Sequence, residues 1–397
     1  MNKKLIALAI ASAISAPAMA ATGNVDIYGL LSVGVDSVQN GDNTNDYGAL
    51  GANVSTHNTN RVGRFSDYAS RIGFKGSEDL GNGLSAVWQI EQQIAMDNNT
   101  GNGGAFGGAN LRNTFLGLKS KDMGTVLGGR YDTPYKVATG RLDPFADTLG
   151  DYNGLVGSAT SATTVFTTAT VPVFVSKKAT AVSAGNYFDQ RPSNTVDYIS
   201  PSWSGLSVAA AYAFGAETAT ATMVDKNANL YSVAAMYDAG PLFLSAAYEK
   251  HNFGSTGVGS MPGANNTNES AYKIGAGYSI MDFTLGALYE KTKDNFNAGA
   301  NQLGHSTWYL SGKYQMGAVA LKAAYGKANS NATADTGAKL YTVGADYSFS
   351  KRTTAYALYT QIKNDSNAAY NFSYNPASGI GAGDKPSGFS LGMKHAF

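Results

Sequence analysis

From residue 24 onward, short segments alternate apolar and polar residues with a period of two. Phe389, Leu391, Met393, His395 and Phe397 fall on one side of such a segment, with Ser390, Gly392, Lys394 and Ala396 on the other. Tyr341, Val343, Ala345, Tyr347 and Phe349 oppose Thr342, Gly344, Asp346 and Ser348 in the same way. A period of 3.6 persists nowhere over a useful length, so the pattern predicts strands rather than helices. Sixteen segments carry it: 24–38, 67–80, 83–96, 111–120, 124–133, 186–200, 205–215, 229–238, 240–251, 269–281, 282–293, 303–315, 317–328, 338–349, 351–363 and 386–397.

Each segment has one face with Tyr and Phe near its ends and Ala, Val, Leu or Ile between them. The other face is small or charged. A soluble sandwich would also alternate, but aromatic girdles around an aliphatic band suit a lipid-facing wall, with the polar face toward water. Connections alternate between tight ones, such as Gly81-Asn82-Gly83 and Met281-Asp282, and long polar ones at 39–66, 97–110, 252–268 and 364–385. An even strand count with unlike rims predicts an all-β fold, a 16-stranded antiparallel transmembrane β-barrel with both termini on the short-turn side. The third long connection, 134–185, is far longer than its neighbours, and connections of that size are usually functional or disordered. Its first part holds Asp143, Asp147 and Asp151, whereas 154–183 is an Ala/Thr/Val-rich insertion.

Composition narrows the class. Among 397 residues, 14% are charged, there are 47 glycines, 24 tyrosines and no cysteine, and mean hydropathy is −0.18. Collagen is excluded because the glycines have no period of three, a disulfide scaffold by the absence of cysteine, and a helical membrane protein because no mature segment approaches the roughly 18 apolar residues of a spanning helix. Residues 1–20 read as a signal peptide: Lys3 and Lys4, an apolar run from Leu5 to Ile14, and the A-x-A site Ala18-Met19-Ala20. The remaining 21–397 is the barrel domain. With Lys3 and Lys4 removed, 27 of the 29 basic residues stand against 28 acidic ones, which argues against nucleic acid as a partner. Gly388-Phe389-Ser390-Leu391-Gly392 matches a nucleophile elbow, but it lies within an alternating strand rather than at a strand-to-helix turn. His57, His251, His305 and His395 have no metal-ligand spacing. The reading is therefore of a non-enzyme, with no catalytic residues, metal or cofactor.

Several motifs resemble the general porins of Gram-negative outer membranes, in particular the beta-proteobacterial and neisserial type. They are the run Ser70 to Leu84, Gly128-Gly129-Arg130-Tyr131, Asn194 to Tyr198, Ser350 to Thr354, and the terminal Phe397 as a barrel C-terminal signal. The resemblance implies a homotrimer in the outer membrane, among lipid and lipopolysaccharide, whose third loop folds inward and narrows each channel. Outward Gly29, Ala86 and Gly117 suit packing against another barrel. The expected function is passive diffusion of ions and small hydrophilic solutes. A solute-specific porin is the close alternative, and an outer-membrane barrel enzyme or a surface adhesin the remote ones.

Parity supplies candidate pore residues. Ile72 and Phe74 take the lipid side, which turns Arg71 and Lys75 inward. Phe115 on the lipid side would turn Arg112 and Thr114 inward, and Val196 and Tyr198 do the same for Arg191, Ser193, Thr195 and Asp197. The resemblance carries a constriction onto these positions, with basic Arg71, Lys75, Arg112 and Arg191 facing acidic Asp143, Asp147 and Asp151. Arginine cannot shed its charge, so the expectation is a modest anion preference.

Overall fold

The computed structural model describes residues 25–39, 61–97, 111–157, 163–164, 174–175, 188–214, 229–252, 268–294, 304–377, 380 and 383–397. The signal segment 1–20 and most of the 154–183 insertion lie outside these residues. The wall begins with β1 (Val25–Gln39), β2 (Arg61–Asp67), β3 (Arg71–Gly81), β4 (Leu84–Gln93), β5 (Thr114–Ser120) and β6 (Gly124–Arg130). After helix α1 (Pro134–Gly140) and a separate ribbon of β7 (Thr163–Thr164) and β8 (Phe174–Val175), the wall resumes. It continues through β9 (Thr195–Ile199), β10 (Leu206–Phe214), β11 (Asn229–Ala239), β12 (Leu242–Asn252), β13 (Asn268–Ile280) and β14 (Phe283–Asp294). The last five are β15 (Ser306–Met316), β16 (Val319–Ala328), β17 (Ala338–Ser348), β18 (Thr353–Asn364) and β19 (Ser387–Ala396).

Each wall strand pairs antiparallel with its neighbour, and β1 closes the ring by pairing with β19 on one side and with β2 and β3 on the other. β2 and β3 are two halves of one strand, interrupted at Tyr68-Ala69-Ser70, where Ala69 has φ 58°. The result is a closed sixteen-stranded antiparallel barrel. Closure leaves no unpaired sheet edge, which is what permits strands to cross a bilayer.

The register separates two faces. Leu244, Ile274, Leu285, Trp308, Leu310, Val343 and Leu391 are all more than 40% exposed, with Tyr248 and Tyr272 beside them. An apolar band of that extent in water would be an aggregation surface, whereas against acyl chains it is the solvent match. Lys273, Glu290, Glu249 and Asp197 occupy the other face and are buried.

Three details depart from the sequence reading. The second strand starts at Arg61 rather than residue 67, so Arg64 and Ser66 belong to the wall and not to the preceding connection. Phe115 lies on the polar face. Leu116 and Leu118, at 67% and 51% exposure, take the apolar one with Val126, and this puts Gly117 on the polar face as well. The reading failed because Phe115, Leu116 and Leu118 are all apolar and it took Phe115 as the lipid-facing one; β5 begins only at Thr114, so alternation within it is also too short to correct the choice. Gly29 does face outward, but the Phe397 ring fills its open side: an added Cβ would lie 2.3 Å from that ring and 2.7 Å from the Arg71 carbonyl oxygen.

Candidate functional site

The site is built by the segment that leaves β6. Thr133 caps α1 by accepting from the Lys136 amide, and Pro134 occupies the first turn, where its missing N–H is not needed. The helix buries Tyr135 and Ala138 against Ala234, Ala247 and Ala271 of β11–β13. Tyr135 donates its hydroxyl to Glu290 (2.8 Å) and its amide to the Ser232 hydroxyl (2.9 Å). Leu142 then meets the wall at Gly275, Gly277 and Gly286; a Cβ on Gly275 would stand 2.7 Å from Leu142 Cδ1, so larger side chains there would displace the segment. Beyond it, Phe145, Leu149, Tyr152, Leu155 and Val156 are buried with Tyr309, Leu340 and Ile362 of the wall. Each such side chain stabilises the docking by about 1.5–3 kcal/mol.

Polar contacts fix the same segment. Ser311 donates to the Leu142 carbonyl (2.6 Å), Lys322 to the Pro144 carbonyl (3.0 Å) and Lys394 to the Ala146 carbonyl (2.7 Å). The Gly157 amide donates to Glu290, and on the returning limb Asp189 pairs with the fully buried Lys273.

The candidate residues are placed as follows. Arg71 forms an ion pair with Asp147 (3.1 Å) and also donates to the Ala69 carbonyl. Arg112 pairs with Glu91 of the wall (2.6 Å), and Glu91 also accepts from the Tyr28 hydroxyl. Arg191 binds Asp132 (3.0 Å) and the Asn113 side chain (2.8 Å), and Lys136 shares Asp132 (2.7 Å). Lys75 is exposed, with its ammonium 5.2 Å from the Tyr28 ring. Of the three loop acids, Asp147 alone meets an arginine. Asp143 accepts from the Tyr309 hydroxyl (2.7 Å) and from the amides of Phe145 and Tyr152. Asp151 accepts from the amides of Asp147 and Asn153 and caps the 3-10 turn Tyr152–Gly154.

Surroundings set the protonation of these loop groups. Burial alone would raise Asp147, but Arg71, Lys394 and Arg112 hold it below the usual carboxylate range. Asp132 is likewise held low by Lys136 and Arg191 against the effect of burial. Burial raises Asp143, and burial with Asp143 beside it pushes Asp151 up to about 8.

Several site residues escape the sequence reading. Tyr374, from the connection between β18 and β19, donates its hydroxyl to Asp147 (2.9 Å) and packs edge-on to Tyr68 at 6.4 Å. Asn375 donates to the Asp67 carbonyl, and Arg64 donates to the carbonyls of Asn375 and Pro376 while pairing with Asp36 (3.2 Å). The last long connection therefore docks on β2, on Tyr68 between β2 and β3, and on the third-loop segment together. Asp132 carried a legible signal, since Asp-Thr-Pro is a helix start. Tyr374 carried none, because its partner lies 227 residues away.

Comparison with known proteins places this architecture. The family model for Gram-negative porins matches residues 7–367. The chain is 27% identical over its full length, and over the full length of the relative, to outer membrane porin protein 32 of Delftia acidovorans. It is 28% identical to the major outer membrane protein P.IB of Neisseria meningitidis, covering 89% of this chain and 91% of that one. Among solved structures, the anion-selective porin from Comamonas acidovorans superposes with a TM-score of 0.71 at 22% identity, over 94% of this chain and 100% of the other. The trimer form of OmpT from Vibrio cholerae gives 0.62 at 17% identity, over 94% and 99%. A closed sixteen-stranded barrel with an apolar outer belt, matched along nine-tenths of its length by one family, identifies this chain as a member of the Gram-negative porin family, located in the outer membrane.

Proposed function

We propose that the chain forms a water-filled channel for passive diffusion of ions and small hydrophilic solutes, and that Arg71, Lys75, Arg112 and Arg191 with Asp143, Asp147 and Asp151 form its constriction. The Arg71–Asp147 ion pair carries this reading, because it joins a wall cation to an acid of the third-loop segment. That segment touches side chains of β3, β11, β14, β15, β16 and β19. So short a segment reaches strands around most of the circumference only from inside the barrel. Asp147 forms the acidic side of the aperture, while Asp143 and Asp151 hold the loop in shape around it.

The charge balance supports a modest anion preference. Arg71, Arg112 and Arg191 each have a carboxylate partner, whereas among the described residues Lys75 and Lys394 form no ion pair. Charges at the narrowest point set selectivity more than the total does. A solute-specific channel is the second reading, favoured by the docking of the last connection against the same aperture. The barrel associates as a homotrimer through β1–β6, with the rest of its outer face against lipid and lipopolysaccharide. Planar-bilayer recording tests the channel: steady steps in threes are expected, and an electrically silent protein would refute it. Cross-linking in mild detergent tests the trimer, which a purely monomeric product would exclude.

A further inference from the structure

The inner face of the wall carries an aromatic pair that the docking of the third-loop segment does not use. Phe115 points inward from β5 and is half-buried, and its ring meets the Tyr131 ring edge-on at 5.3 Å with an interplanar angle of 84°. Neither ring belongs to the buried apolar clusters that seat the third-loop segment on the wall. Apolar surface gains by leaving water. A phenyl ring on the wet face of a channel wall forgoes that gain unless a solute covers it.

Register sets a cation beside this pair. Lys75, Gln89, Phe115 and Gly129 stand opposite one another in turn on β3, β4, β5 and β6. Adjacent strands lie about 4.8 Å apart, so Lys75 and Phe115 are roughly 10 Å apart at the backbone. Gln89, between them, is tied by its side-chain amide to the Asn113 carbonyl (3.0 Å). Lys75 is exposed and, among the described residues, forms no ion pair. Asp26 stands opposite it on β1, yet the ammonium lies 5.2 Å from the Tyr28 ring instead. The Tyr28 ring lies across Gly73, where an added Cβ would come within 2.2 Å of it, and so presents a second aromatic surface next to the lysine. Lys75 follows Arg71 along β3 toward the short turn at Gly81. A solute that has passed the aperture from the long-loop side meets this row next.

We propose that Lys75, Phe115 and Tyr131, with Tyr28 beside them, form a binding subsite for aromatic carboxylates on their way through the channel. A carboxylate needs a cation that is not already neutralised, and Lys75 is one, whereas Arg71, Arg112 and Arg191 each have a carboxylate partner. The ring of the solute packs on the Phe115–Tyr131 pair edge-on or offset, the arrangements that aromatic rings prefer. Aliphatic anions and neutral arenes each engage only half of the subsite. Occupancy is brief, because a conducting site must release what it binds. The subsite rests on the channel reading given above.

The test records chloride current through the full-length protein in planar bilayers while benzoate, cyclohexanecarboxylate or benzamide is added on one side. Cyclohexanecarboxylate matches benzoate in charge and size and is the more apolar of the two, so a merely greasy surface would favour it. Benzoate should reduce the current at about threefold lower concentration than cyclohexanecarboxylate and about fivefold lower than benzamide. F115L should bring the two carboxylates level, Y131L should do the same from the other ring of the pair, and F115Y should keep the difference. K75Q should weaken both carboxylates about fivefold without changing their ratio, and K75R should bind them as wild type does. Each comparison is a ratio within one variant, so a change in conductance does not enter it. A wild type that conducts chloride but treats benzoate and cyclohexanecarboxylate alike, or a benzoate preference that survives in F115L or Y131L, would overturn the subsite and leave the channel reading standing. An electrically silent wild type would remove both.

Discussion

Replacing both Arg71 and Arg112 with Ser is the sharpest perturbation of the proposed pore. The substitution removes two cations and leaves Asp147 and Glu91 without their ion-pair partners. A unit charge about 6 Å from a passing ion is worth ~0.7 kcal/mol in water. Screening with a length near 8 Å reduces that to ~0.3 kcal/mol. The charge favours an anion and disfavours a cation equally, so the permeability ratio changes by ~0.6 kcal/mol, roughly threefold, per charge. Two charges move it about tenfold toward cations, and the uncovered carboxylates push the same way. Reversal potential in a salt gradient reads this directly, and the wild type should show a modest anion preference that the double variant reverses. If the ratio stays within a factor of two, or if the wild type already strongly prefers cations, the arginine cluster does not govern permeation.

Other perturbations probe the supports of the site. Tyr374→Phe deletes the hydrogen bond to Asp147 and, as a bond to a charged group, should loosen the last connection by about 1.5–3 kcal/mol; open-channel noise should rise, and unchanged noise would show that Tyr374 is a bystander. Asp143 and Asp151 are raised in the folded loop, so the stability they lend is fully present below their unfolded range near pH 4 and is lost as pH rises through about 8 for Asp151. Amide exchange of residues 143–157, corrected for intrinsic rates, should accelerate across that interval, and Asp151→Asn should flatten the dependence; a flat wild-type profile would count against it. Gly29→Ala forces a Cβ into the Phe397 ring and the Arg71 carbonyl at the closing seam, and should cost about 1–3 kcal/mol, read as a lower temperature for the unfolding band shift in electrophoresis. A wild-type transition would mean that the seam adjusts freely.

Much of the wall was legible because a barrel strand needs only a period of two. Phe389 to Phe397 and Tyr341 to Phe349 announce which side meets lipid, and the register bears this out. The tight turns were equally plain, since Asn82 and Gly83 both adopt positive φ, which the two-residue loop between Gly81 and Leu84 requires. Parity fails where both faces of a segment carry apolar residues. Phe115, Leu116 and Leu118 all qualify as lipid-facing, and taking Phe115 as the reference placed it and Gly117 on the wrong face.

The sequence by itself determined the fold class, the strand count, the outward belt and the inward direction of Arg71, because all of these follow from local alternation and turn chemistry. It also marked the acidic stretch of the third loop. Which acid meets which cation was decided only by the tertiary structure. Arg112 chose Glu91, Arg191 chose Asp132, and Asp143 went to Tyr309, 166 residues away. Tyr374 reached Asp147 from a connection whose polarity alone reads as solvated loop. Charge pairing across a closed ring depends on strand stagger and on how two connections pack together, and no period along the chain encodes either.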